Sequence, residues 1–220
     1  MHRPDEPGTG LATVLLWHGR GPDERDVLAP LAQATAALGL LVLVPDWRAD
    51  APDAGLTHLT ESVSFAREQA AAHGGDPLRL TLAGWSLGAK NAVALALGPG
   101  AWRPRAVVAI AGGYTTSART TGGTPLDDAR HGPAAPKLPL HLIHGTADEV
   151  VPVEQSRELR TALAAHHWPV TLDEPETDHA GVVLTRYSPA HQRCLPAPDH
   201  PPGLRTAALL AKYAKAQGPS

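Results

Sequence analysis

Leu78-Arg-Leu-Thr-Leu-Ala-Gly-Trp-Ser-Leu-Gly-Ala-Lys-Asn-Ala-Val-Ala-Leu-Ala-Leu97 is the stretch whose reading decides the fold. Residues 78–83 form an apolar run suited to a buried strand, and the Ala/Leu-rich residues up to about 97 suit a helix. Between them, Gly84-Trp85-Ser86-Leu87-Gly88 places G-x-S-x-G after a strand and before a helix, the setting that motif needs. The two glycines let the backbone turn without Cβ clashes, so Ser86 is expected at the tip of a tight elbow. The N–H groups opening the following helix point the same way and favour negative charge. The plainer alternative is a glycine-framed turn with an ordinary serine, and the rest of the chain has to decide between them.

Working outward, the chain alternates apolar runs with helical periodicity. Strands are expected at 11–17, 40–45, 78–83, 105–111, 138–143 and 168–172. Helices are expected from Pro22 or Asp23 to about 38, over about 56–73, from the elbow to about 97, over about 153–166, and over about 203–216. Residues 112–137 and 185–202 read as irregular. Runs that are apolar at nearly every position suit central strands covered on both faces. The reading is therefore an α/β fold: a doubly wound, mainly parallel six-stranded sheet with helices on both faces, in a single domain over 1–220. Ligands of such sheets bind outside the carboxyl ends of the strands. Ser86, Gly19 to Gly21, Asp148 and His179 all fall just past strand ends, so they share one edge.

A serine hydroxyl needs a base to take its proton as it attacks, and histidine titrates in the right range. A carboxylate fixes the tautomer of that base and stabilises the imidazolium. In this fold the chain order is Ser, then Asp or Glu, then His, which Ser86, Asp148 and His179 satisfy. Glu149, beside Asp148, is expected to face solvent or cap the next helix. His179 is chosen among twelve histidines because it follows the sixth strand and a short acidic turn; His191 is the rival. The tetrahedral oxyanion needs two donors. The Leu87 N–H is expected to be one, and the loop Gly19-Arg20-Gly21 supplies the other from Arg20 or Gly19. His18 is expected to brace that loop, and Trp85, Tyr114 and Trp47 are candidate pocket walls.

Composition narrows the partners. A net charge of −3 with no basic block gives no reason to expect nucleic acid or an anionic membrane surface. The single cysteine, Cys194, rules out an intramolecular disulfide and reads as a bystander rather than a nucleophile. Met1-His-Arg-Pro-Asp-Glu-Pro7 offers no signal-peptide core, and no run is long enough to span a bilayer. The expectation is a cytoplasmic enzyme acting on a small molecule, with no metal and no cofactor, since no Cys/His cluster offers tetrahedral ligands. Low lysine against abundant alanine, arginine and proline suits a GC-rich bacterial genome.

With these residues assembled, the chain resembles the α/β-hydrolase superfamily and its small carboxylesterases and lipases. The resemblance rests on Trp17-His18-Gly19-Arg20-Gly21, Val44-Pro45-Asp46-Trp47-Arg48, Gly84-Trp85-Ser86-Leu87-Gly88, the segment Leu142 to Pro152, and Asp178-His179. It is similar to the feruloyl-esterase-like and hormone-sensitive-lipase-like branches, where the first loop is commonly His-Gly-Gly-Gly; here the third position is Arg20. The resemblance implies hydrolysis of a small carboxylic ester through an acyl-enzyme, in a minimal member with little or no cap. Thioester hydrolysis, acyl transfer or a lyase-type use of the same triad stay open, as does a non-catalytic binding module on this fold. The stretch 185–202 matches nothing in the family and is a candidate pocket wall.

Overall fold

The computed structural model describes residues 1–6, 8–21, 24–100, 102–133 and 135–216. Six strands pair in parallel: β1 (Leu11–Trp17), β2 (Leu41–Leu43), β3 (Gly75–Trp85), β4 (Ala106–Ile110), β5 (Leu140–Ile143) and β6 (Val170–Asp173), in the order β2-β1-β3-β4-β5-β6. The expected doubly wound sheet is the one observed. Its strands alternate between two cores. Leu15, Trp17, Leu82, Val107 and Leu142 face one side, and Val14, Leu16, Ala83, Val108 and Ile143 face the other. The first core is covered by α2 (Leu56–Gln69), α3 (Leu87–Leu97) and α5 (Glu154–Ala165), the second by α1 (Ala29–Ala37) and α6 (Pro201–Lys215). Strands buried on both faces need apolar residues at both parities, which is why their sequences read as continuous apolar runs.

The structure corrects several boundaries. The helix start expected at Pro22 or Asp23 falls outside the described residues; from Glu24 to Leu28 the chain is a 3-10 turn that runs into α1. Strand β3 begins at Gly75, earlier than the apolar run, because Leu11 pairs with Gly75 across a register shift. Leu78 is 85% exposed there, its N–H held by Asp76 Oδ1 at 2.8 Å, so the buried part of the strand starts at Leu80. The stretch 112–137 is not wholly irregular, since Pro125–His131 forms a short helix, α4, packed against α3 and α5. Proline in its first turn, acids after it and Arg130 and His131 at its end are helix signals that two turns were too short to make audible. The stretch 185–202 contains an antiparallel hairpin, β7 (Thr185–Ser188) with β8 (Arg193–Pro196), before α6 starts at Pro201. Among the described residues, α4 is the only helix between β4 and β5, and no helix is long and apolar enough to cross a membrane.

His141 of β5 stacks on Tyr213 of α6, ring centroids 3.6 Å apart, with Nδ1 2.9 Å from Thr171 Oγ1. Burial pushes its pKa down to about 4, with Asp173 opposing and Lys212 adding to the shift. The unfolded chain takes up this proton first, so stability is fully present above the ordinary value of 6.5 and is lost as pH falls toward about 4. The urea midpoint should therefore drop across that window, and His141→Gln should flatten part of the drop; an unchanged slope would contradict the assignment.

Candidate active site

Strand β3 enters the elbow at Ser86, which has φ 56° and ψ −117°, a region an L-residue occupies only when its surroundings impose it. The Ser86 N–H donates to Ile110 O at 2.9 Å, and its carbonyl accepts the Lys90 N–H at 3.2 Å, so sheet and helix grip the turn from both sides. The flanking glycines are required by proximity. A Cβ at Gly84 would collide with the Gly88 backbone, and one at Gly88 with the carbonyl oxygens of Trp17 and His18. The first turn of α3 thus lies directly on the loop leaving β1.

That loop is braced as expected. His18 is fully buried; its Nδ1–H donates to Gly19 O at 3.1 Å and its Nε2 accepts the Trp47 N–H at 3.1 Å, which assigns the neutral tautomer. The Trp47 indole donates to His18 O at 3.2 Å and stacks on its ring. Burial, opposed by Gly19 O and Asp46, lowers the His18 pKa and keeps the ring uncharged. Trp47 therefore supports the loop; it is fully buried and does not line the cleft beside His179. Tyr114 is fully buried as well, packed in the α3 and α5 core. Of the candidate pocket walls, these two close the core and do not line the cleft beside His179: large aromatics beside strand ends are as useful for closing a core as for touching a ligand.

Asp148 lies in the loop after β5, with its Oδ2 2.6 Å from His179 Nδ1. Its Oδ1 accepts the N–H groups of Val150 at 2.9 Å and Val151 at 2.8 Å. Burial alone would raise its pKa, but hydrogen bonds from His144, His179 and the Val151 N–H outweigh it and hold the carboxyl well below the usual range. His144 was not singled out by sequence. It is fully buried, with Nε2 3.2 Å from Asp148 Oδ2 and 2.9 Å from Val151 O, while Nδ1 accepts the Ser156 hydroxyl at 2.7 Å. Its place at the end of β5, four residues before the acid, was the only signal. Glu149 is exposed, as expected.

The loop after β6 carries His179. Asp178 Oδ1 accepts the N–H groups of Ala180 at 3.2 Å and Gly181 at 2.6 Å, and Thr146 and Ala147 donate to Pro175 O and Thr177 O, tying the two loops together. The His179 ring lies against Trp85, centroids 5.1 Å apart, and the Trp85 indole donates to His179 O at 3.0 Å. The residue preceding Ser86 therefore anchors the His179 loop. The rival His191 bonds Ser188 in the turn of the β7–β8 hairpin instead. A cleft of about 450 Å³ beside His179 is lined by Trp85, Val150, Tyr187 and Cys194, so the hairpin in 185–202 does supply a wall. Burial pushes the Cys194 thiol pKa up, which suits a wall rather than a nucleophile.

Glu24 was also missed. Its Oε2 stands 2.7 Å from where a Gly19 Cβ would be, and the Trp85 ring is 3.3 Å from the same point, so any side chain at 19 would push the Glu24 carboxylate aside. Burial raises the Glu24 pKa, opposed by the Gly21 N–H it accepts and by His179. Nothing in a lone glutamate after a glycine loop announces this contact. Among the described residues, no group of three or more His, Cys, Asp or Glu is arranged to hold a metal.

No family model matches the chain, and no curated protein matches it. Solved structures do. A thermophilic esterase from the planctomycete Thermogutta terrifontis with propionate bound superposes with a TM-score of 0.73 at 17% identity, over 99% of this chain and 90% of that one. The same organism's esterase 2 phosphorylated by paraoxon gives 0.72 at 18%, over 96% and 85%. A putative dienelactone hydrolase from Klebsiella pneumoniae gives 0.69 at 22%, over 97% and 91%. The fold is thus of the α/β-hydrolase type, shared across nearly the whole of each chain.

The glycine contacts are testable without any substrate. Gly88→Ala drives a Cβ into two backbone carbonyls that have no rotamer to yield, so it should cost about 2 kcal/mol or more in urea unfolding. Gly100→Ala, whose Cβ meets nothing within 4 Å, is the control and should change little.

Proposed function

We propose that the chain is a serine hydrolase that cleaves small carboxylic esters through an acyl-enzyme. The observation that carries this is the 2.6 Å bond between His179 Nδ1 and Asp148 Oδ2, made by a ring that packs on the immediate neighbour of an elbow serine. Ser86 Oγ attacks the ester carbonyl as His179 Nε2 takes its proton. Asp148, kept ionised by its donors, orients the ring and stabilises the imidazolium. The N–H groups of Leu87 and of Arg20 or Gly19 hold the oxyanion. Collapse expels the alcohol, protonated by His179, and a water deprotonated by the same ring releases the acid. The esterase and dienelactone hydrolase relatives in fold support an ester rather than another acyl compound, and the paraoxon-modified esterase suggests a direct probe.

Two measurements test this. Paraoxon or a fluorophosphonate should add one adduct to Ser86, detected by peptide mass, and none to Ser86→Ala. Turnover of p-nitrophenyl acyl esters should fall by about 10,000-fold in Ser86→Ala and by a comparable factor in Asp148→Asn, with KM changed little. A chain that neither labels nor turns over any ester in the series is not a serine esterase.

A further inference from the structure

Beyond the triad, one group of side chains flanking Ser86 has no role in the reaction just described. Lys90, one turn into α3, is buried at 8% exposure, and its Nζ donates to Thr116 Oγ1 at 2.5 Å. Thr116 and Arg119 belong to the loop that leaves β4, and the Arg119 N–H donates to Asn91 Oδ1 at 2.8 Å, which seats that loop on α3. Arg20 is exposed on the β1 loop, whose carbonyls at Trp17 and His18 lie against Gly88, two residues before Lys90. Three cationic residues thus stand on chain segments that pack in a seam around the start of α3, close enough for Arg20 and Arg119 to act on the Lys90 charge, and none of them forms an ion pair among the described residues. The Asn91 side chain adds to the imbalance: it is fully buried, and its Nδ2 donor has no partner among the described residues.

A buried ammonium is costly unless a counter-charge offsets the lost hydration. Burial lowers the Lys90 pKa, and Arg20 and Arg119 lower it further. Such a seam is short of one anion. The apolar cleft with Trp85 and His179 lies on the α1 and α6 side of the sheet, and the seam lies on the α3 and α4 side. The departing alcohol must sit near His179 to receive its proton, which puts the acyl chain on the other flank.

We propose that the Lys90, Arg20 and Arg119 seam binds a carboxylate at the far end of the acyl chain, making half-esters of dicarboxylic acids the preferred substrate class. This rests on the hydrolase reading above. The test compares monomethyl adipate with methyl hexanoate in a pH-stat, with 6-acetoxyhexanoate against hexyl acetate to place the charge on the alcohol side. The expected result is a kcat/KM for monomethyl adipate at least about tenfold above that for methyl hexanoate, with no such gain for the alcohol-side pair. Arg119→Gln and Lys90→Met should each remove most of that preference and leave methyl hexanoate within about twofold. Arg119 is exposed, so its variant serves even where Lys90→Met fails to fold. Equal rates on the two acyl-side esters, a preference for the alcohol-side charge, or a parallel loss on both acyl-side esters in Arg119→Gln would each overturn the proposal. Calorimetric binding of monomethyl adipate to Ser86→Ala separates the two readings. Binding that Arg119→Gln abolishes upholds the seam even where no ester is hydrolysed, and absence of binding overturns it whatever the esterase assays give.

Discussion

The first turn of α3 rests on the carbonyls of Trp17 and His18, and this backbone-on-backbone contact sets the distances at the sheet edge. It is possible only because Gly88 carries no side chain. Once it is made, the N–H groups at the start of α3 and the β1 loop face one space, and Ser86 is forced into a conformation that β4 stabilises through the Ile110 carbonyl. The loop has to be stiff for this to be worth anything. The neutral His18 ring, fixed at both nitrogens and covered by Trp47, supplies the stiffness without adding a charge beneath the site.

Electrostatics at this edge is divided between two buried networks of opposite character. Around Asp148, four donors converge on one carboxylate, so its charge is secured and its partner ring is held by the base loop and by Trp85. Around Lys90, donors converge with one neutral acceptor, Thr116, and no carboxylate. A self-contained network of the first kind needs no ligand to complete it. The second leaves its positive charge without a carboxylate partner among the described residues.

Much of the architecture was legible because its signals are dense. β1, β4 and β5 are apolar at both parities, and the glycines around Ser86 follow from contacts that no other residue could make. That Asp148 and His179 come to the same sheet edge followed from strand ends and chain order. What was illegible depended on contacts distant in sequence or on elements too short to show a period. Trp47 and Tyr114 stand just past strand ends like pocket residues, and all three aromatics are buried; only Trp85 also lines the cleft beside His179. The hairpin of β7 and β8 has four residues per strand and half-exposed or exposed side chains at most positions, so no alternation marks it. Glu24 and His144 are single residues whose partners arrive only when the loops are brought together.

The hairpin stands apart from the machinery it borders. Among the described residues its strands pair only with each other, its tip residues are exposed, and it lines the cleft beside His179 through Tyr187 and Cys194. The central sheet and the hydrogen-bonded loops at its edge are closed without it. The exposed tip is therefore free to drift in length and side chains at little cost to the sheet, and the shape of the cleft beside His179 can change while the Asp148–His179 bond stays as it is.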